Sequence, residues 1–507
     1  MPGKRKKIAV IITHGMGEQI PMETLRDFVE TAWVADREVQ ALAHTGENSA
    51  DIWIKPDAVT GSLELRRITT RWTKPASGQD TGQDKGSRID FFEFYWADLA
   101  EGTTVKEVHD WLGTLLVRWP SRVPKGLMPA WLVLWTTTLV VAALSLFALL
   151  PWPGGVWHVV LGIAAAAVAW LMQYVISPYI GDVARYVRAD PRNIAMRRSI
   201  RDRGLKLLRK IHDSGAYERI VFVSHSLGTI VAYDLICLLW TTRERALTLS
   251  EDEPAFARLR ELEHAAHALA NEGSDAARTA YREAQREFRL ALRSGGKDGS
   301  LRARTPDEEW LISDFVTLGS PLTHAEFLLA RSPRDLADKK TRWLFPTNPP
   351  PFQKIESEQR AKIDDRSVPP NDHILGPPGG LFSYYMASHT WAMHHATPFA
   401  AVRWTNIHDP HSMIFKGDIV SGPLAHVFGD GIRDIDLKRL HGRQSPGFSH
   451  TLYWTQPPDG EPAQHIDALR KAIDLLDRPD GESWKSAASP SVTAPGSAKY
   501  PPASTAR

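Results

Sequence analysis

The sequence predicts an α/β protein, a mostly parallel sheet with helices on both faces, interrupted by a two-helix transmembrane hairpin and a helical arm. Three observations carry this. Short apolar, β-branched runs alternate with helical segments along most of the chain, the order that builds parallel sheets from crossover units. Residues 126–181 contain no Asp, Glu, Lys or Arg and hold two long apolar runs. Two charged, Ala-rich segments further on repeat apolar residues at helical spacing.

The composition narrows the classes. At 507 residues the chain is longer than one compact core, and 43% hydrophobic with 24% charged residues is not the composition of a disordered polyelectrolyte. With 61 basic and 59 acidic side chains the net charge is +2, so bulk charge points to no nucleic-acid partner. Cys237 is the single cysteine, which excludes an internal disulfide framework and a thiolate metal cluster and fits a reducing compartment. The mean hydropathy of −0.28 suggests a soluble protein, but it averages unlike parts.

Taking the elements in order, Ile8 to Thr13 (IAVIIT) is a continuous apolar run stopped by His14-Gly15, as expected of a buried parallel strand. The basic Lys4 to Lys7 before it reads equally as a contact with anionic lipid or as a solubilised strand start. Leu25 to Val39 predicts a helix; Arg67 to Trp72 and Ile89 to Trp96 predict strands around a polar loop. Ala130 to Leu150 and Val156 to Ile176 each span about 21 residues, roughly 31 Å as helix, which matches the hydrocarbon core of a bilayer. Pro151-Trp152-Pro153-Gly154-Gly155 between them reverses the chain. Arg118, Arg122 and Lys125 precede the hairpin and Arg185, Arg188 and Arg192 follow it, so the positive-inside rule predicts a multi-pass membrane protein with both long polar segments on the cytoplasmic side. More than a hundred residues precede the first run, which is therefore not read as a signal peptide.

Beyond the hairpin, Ile194 to Ser214 reads as helix, Ile220 to Ser224 as strand and Thr229 to Trp240 as helix, with later strands at Phe315 to Leu318 and Val402 to Ile407. Phe256 to Ala270 and Ala276 to Leu292, separated by Gly273-Ser274-Asp275, form the predicted arm, a scaffold or oligomer contact. Residues 342–398, rich in Pro, Gly and aromatics, read as a cap over a pocket or as a long packed loop. The organisation is thus 1–125 and 182–477 as one interrupted domain, with 251–300 the arm, 126–181 the hairpin, and 478–507 a disordered Ser/Ala/Pro tail.

The strongest chemical signal is Val221-Phe222-Val223-Ser224-His225-Ser226-Leu227-Gly228-Thr229, a β-branched strand turning into a helix with Ser226 at the tip. A nucleophile held in strained backbone geometry needs small residues two positions before and after it, and Ser224 and Gly228 meet that need. Ser224 stands where Gly is usual. The competing reading is an ordinary strand-to-helix turn whose serines cap the helix.

With this elbow the chain resembles the α/β-hydrolase superfamily, and within it lipase- and esterase-like serine hydrolases, over the N-terminal strand to about Asp477 without the hairpin and arm. The resemblance implies an acid and then a histidine after the serine. His450, in Pro446-Gly447-Phe448-Ser449-His450-Thr451-Leu452-Tyr453-Trp454, is similar to the histidine neighbourhood of such enzymes, with His441 as second choice. Asp418, in Lys416-Gly417-Asp418-Ile419-Val420-Ser421, is similar to their acid loop, with Asp409 as the alternative acid. The oxyanion donors implied are the N–H of Leu227 and the loop Thr13-His14-Gly15-Met16-Gly17, with Met16 and Gly15 named for the second donor. A phosphate-binding turn at that loop is disfavoured by the lack of Gly-x-Gly-x-x-Gly or a Walker lysine. Thr317-Leu318-Gly319-Ser320-Pro321 and Glu93-Phe94-Tyr95-Trp96 are further likenesses, with Ser320 read as a turn residue. His394-His395, His408 and His411 match no zinc spacing, and neither a metal nor another cofactor is expected. The function so implied is hydrolysis of acyl esters, with membrane lipid as substrate and anchor. The other readings are a non-catalytic scaffold on the same fold, or a toxin-like phospholipase or acyltransferase using the same acyl-enzyme.

Overall fold

The protein is described by a computed structural model over residues 7–15, 20–36, 52–57, 66–72, 87–100, 128–149, 191–243, 247–293, 309–365, 372–386, 389–411, 416–437, 449–455 and 463–484, and at 39, 119–120, 123, 156, 159–160, 162–164 and 186–187. Its centre is an eight-stranded sheet. The strands are β1 (Lys7–Thr13), β2 (Ile52–Pro56), β3 (Arg66–Trp72), β4 (Arg88–Phe94), β5 (Tyr217–His225), β7 (Ile312–Leu318), β10 (Arg403–His408) and β11 (Arg433–Asp436), in the spatial order β11-β10-β7-β5-β1-β4-β3-β2. From β11 to β4 all neighbours are parallel, while β3 and β2 add an antiparallel edge. The fold is therefore α/β with a mostly parallel sheet.

The strand sequences explain why both faces are covered. Side chains alternate between faces, and in β1 Ile8, Val10 and Ile12 enter one core while Ala9 and Ile11 enter the other. The first core holds α1 (Glu23–Val29) and, near the C-terminus, Gln464–Ile473, through residues such as Phe28 and Leu469. The second takes α3 (Pro191–Asp213) and α4 (Leu227–Thr241), through Leu208 and Leu235. The helix predicted over Leu25 to Val39 is shorter than expected. Its α-helical part passes into a π-helical turn over Glu30–Val34, and the Asp36 carboxylate accepts the Val39 N–H at 3.3 Å beyond it.

The predicted hairpin is partly described. Its first run falls in α2 (Met128–Leu149), some of whose side chains lie outside the described residues, as does most of 156–176. Taken over the described residues alone, no helix is long and apolar enough to cross a membrane.

The two arm segments are helices, α5 (Pro254–Glu272) and α6 (Asp275–Arg293), joined at Gly273 with φ +62°. They do not stand away from the domain. Phe256, Leu259, Tyr281 and Phe288 join the same core as Phe315 and Trp404 of the sheet. Arginines of α6 turn inward: Arg282 donates to the Trp404 carbonyl at 2.7 Å and to Asp480 at 2.9 Å, and Arg289 pairs with Asp477. Asp480, within the segment predicted as tail, is buried.

Described residues of 342–398 pack on α5. Phe352 stacks on His267 at 3.9 Å, and buried Arg260 lies over both the Phe256 and Trp391 rings while pairing with Glu263. Within this region β8 (Ser383–Tyr385) and β9 (Thr390–Met393) join β6 (Thr248–Ser250) in a small antiparallel sheet.

Candidate active site

The order in which strands are added to the sheet reverses about β1. The chain moves from it to β4 on one side and, from β5 onward, builds β7, β10 and β11 on the other. In open α/β sheets the crevice beyond the carboxyl ends of strands at such a switch point is where ligands bind. The ends of β1, β5, β7 and β10 bring there His14-Gly15, Ser226, Gly319 and Asp409. At the opposite end, Arg219, Arg403, Asp314 and Asp477 form a buried ionic anchor.

Ser226 occupies the turn between β5 and α4 with φ 52° and ψ −130°, a conformation costly for a residue with a Cβ. Neighbours enforce it. The Ser226 N–H donates to the Leu318 carbonyl at 3.0 Å, and the Thr229 hydroxyl donates to the Ser226 carbonyl at 2.7 Å. Thr229 also shares a 2.7 Å hydrogen bond with Ser320, whose hydroxyl accepts the Leu322 N–H; Ser320 is thus a turn residue. Gly228 is required by space, since a Cβ there would lie 2.4 Å from the His14 carbonyl oxygen. A Cβ on Gly15 would lie 2.8 Å from that of Ser226, so the loop after β1 runs directly against the serine.

His450 Nε2 lies 2.9 Å from Ser226 Oγ, and its Nδ1 lies 3.0 Å from each oxygen of Asp418. Burial alone would raise the Asp418 pKa. The charge of His450 and hydrogen bonds from His450 and Tyr453 outweigh it and hold the pKa at about 2. An ionised carboxylate only accepts, so Nδ1 carries the proton and Nε2 presents its lone pair to the Ser226 hydroxyl. Asp418 Oδ1 also accepts the Val420 N–H at 2.9 Å, and Oδ2 accepts the Tyr453 hydroxyl at 2.7 Å.

Asp409 takes a different place. Its carboxylate accepts the Ser449 hydroxyl at 2.6 Å, and its carbonyl accepts the Asp418 N–H at 2.9 Å. It joins the loop carrying Asp418 to the residue before His450. Two histidines fix the surroundings. Buried His225, its pKa lowered to about 3 by burial, donates Nε2–H to the His450 carbonyl at 2.7 Å. His14, lowered to about 4 by burial, donates Nδ1–H to the Gly15 carbonyl at 2.8 Å and accepts the Trp96 N–H at Nε2. Glu93, at the end of β4 and raised to about 7 by burial, accepts the Met22 N–H at 2.7 Å beyond the same loop.

The structure therefore brings together Ser226, Asp418, His450 and Gly15. Leu227 is the first residue of α4, where a backbone N–H has no intrahelical acceptor and the helix dipole favours an anion. Met16 and His441 lie outside the described residues. His394 donates to the Pro351 carbonyl and stacks on Trp343, and among the described residues no group of three His, Cys, Asp or Glu is placed to hold a metal. Three residues of the site escaped the sequence reading as participants: Tyr453, Ser449 and Gly319. A Cβ on Gly319 would lie 2.8 Å from the Tyr453 ring and 3.2 Å from Asp418 and from His450, and its φ is +60°. All three lie in stretches that carry the hydrolase likeness, where neighbourhood without distances assigns no role.

What the fold and site define is an α/β protein with a Ser–His–Asp constellation at the carboxyl ends of its central strands. No protein-family model, no curated protein and no solved structure matches the chain.

Proposed function

We propose that the protein is a membrane-associated serine hydrolase of the α/β-hydrolase type, cleaving acyl esters, with lipid esters foremost. The observation that carries this is the continuous hydrogen-bonded line Ser226–His450–Asp418 on a strained serine. As Ser226 Oγ attacks the ester carbonyl, its proton passes to His450 Nε2 and the ester C=O becomes an oxyanion facing the Leu227 N–H. Asp418 stabilises the imidazolium. Collapse expels the alcohol, which takes the proton from His450 and leaves an acyl group on Ser226. Water then attacks the acyl carbon, gives its proton to His450 and releases the carboxylic acid as Ser226 recovers its proton.

The lipid part rests on other residues. In α2, Leu132, Leu139, Val140 and Leu146 are exposed, as are Val156, Val159, Val160 and Ile163, each between 46% and 72%. Apolar surface of this kind marks contact with lipid or another partner. The absence of charge over 126–181 and the basic residues on either side favour a bilayer, with the hydrolase domain on the cytoplasmic face. Hydrolysis of p-nitrophenyl esters and of phospholipid vesicles by wild type and Ser226→Ala tests the reading. Activity in wild type alone is expected; equal activity in both proteins would sink it. An added alcohol acceptor reports whether the acyl group also passes to an alcohol.

A further inference from the structure

We propose that Tyr453 is a positioning residue of this site, holding the Asp418 carboxylate through a hydrogen bond that limits how strongly Asp418 stabilises protonated His450. The inference rests on the serine-hydrolase reading for its importance to catalysis, but its geometry stands by itself.

The Tyr453 ring is buried, and its hydroxyl lies 2.7 Å from Asp418 Oδ2, 3.0 Å from Ser421 Oγ and 3.3 Å from the Asp409 nitrogen. A phenol has one proton, and the ionised carboxylate needs it. Tyr453 therefore donates to Asp418 and accepts from the Asp409 N–H and the Ser421 hydroxyl. Its one donor and two acceptor positions are then all used, which fixes the orientation of the O–H. Burial, followed by the charge of Asp418, raises the phenol pKa well above its usual value, so it stays a donor across the working pH range. The ring is equally fixed, because Gly319 leaves no room for movement in that direction.

The consequence is electrostatic. A carboxylate shared among Val420, Tyr453 and His450 presents less charge to the imidazole than one bound to His450 and Val420 alone. Loss of the phenol proton donor concentrates charge toward His450 and favours the imidazolium. The dyad is also faced by His225 from β5, by His408 and Asp409 at the end of β10, and by His324 after β7. Tyr453→Phe alters none of these side chains.

The test is a histidine-selective NMR titration of the full chain, with the His450 signal assigned by its loss in His450→Gln. Tyr453→Phe should move the His450 midpoint upward by about half to one pH unit, a part of the strength of one charge-assisted hydrogen bond, because the effect reaches the imidazole through Asp418. The acid limb of kcat/KM for a p-nitrophenyl ester should move the same way. Site-specific 3-fluorotyrosine at 453, isosteric and a stronger donor, should move both downward and covers the case in which Tyr453→Phe does not fold. Unchanged midpoints in the folded variants would overturn the role of Tyr453, as a ring that merely fills space alters stability without moving the titration. A shifted titration in a protein without ester hydrolysis would instead overturn the proposed function and leave the positioning role standing.

Discussion

Asp418 and Asp409 are both buried carboxylates a few ångströms from the same loops, and their partners separate their roles. Asp418 faces His450 Nδ1, whereas Asp409 holds Ser449 and the Asp418 backbone. Asp418→Asn should release the His450 tautomer and lower kcat by about 10³- to 10⁴-fold, with little loss of folding. Asp409→Ala leaves the Ser449 hydroxyl without its acceptor. It should cost about 1–3 kcal/mol in stability yet reduce kcat by no more than about tenfold. Steady-state kinetics alongside thermal melts of the two variants check this; similar kcat losses would reverse the assignment. Sequence could name both acids, Asp418 by its likeness to an acid loop and Asp409 by its place after a strand-like stretch. It could not rank them by geometry, because the ranking depends on where a loop some 30 residues later places His450.

Among the elements, the junction of β5 and α4 was the most legible. A β-branched run, small residues about a serine and a following apolar helix all agree, so local preference and tertiary demand coincide. Its tightness makes a prediction. Gly228→Ala places a methyl against the His14 carbonyl and Thr13 and should abolish activity and lower the melting temperature markedly. Gly273→Ala, at the α5–α6 joint, meets nothing within 4 Å and should cost only the left-handed backbone, about 1 kcal/mol. Paired melts of these alanine variants separate close approach from backbone strain. The α5–α6 pair itself was legible as helices and not as core. Its arginines look solvated until Asp477 and Asp480 arrive from some 190 residues away. Strands β2 and β11 were missed because IWIKP and RDID are edge sequences with half-exposed faces and weak alternation.

For the whole molecule, the buried histidines set the response to acid. His14, His212 and His225 are neutral inside, with pKa values lowered to about 4, 3 and 3, mainly by burial. In the unfolded chain they take protons near pH 6.5. Below that pH the unfolded state binds more protons than the folded one. The stability they confer is therefore complete above pH 6.5 and declines as pH falls toward their folded values. Asp418, lowered to about 2, adds its loss only below the ordinary carboxylate range near pH 4. Glu93, raised to about 7 by burial, gains its proton earlier in the folded state and opposes this trend, but one carboxyl is outweighed by three histidines. Thermal melts should therefore show the melting temperature falling between pH 7 and pH 5, before the unshifted carboxylates titrate. A flat profile there would contradict the buried neutral assignment.

The central claim is that Ser226 is a nucleophile activated by His450. Its most direct measurement is reaction of the full chain with a fluorophosphonate probe, followed by mass-spectrometric mapping of the modified residue. Covalent phosphonylation at Ser226, lost in Ser226→Ala and strongly slowed in His450→Ala, is the predicted result. No modification of the folded wild-type protein, or modification at another serine that persists in Ser226→Ala, would contradict it.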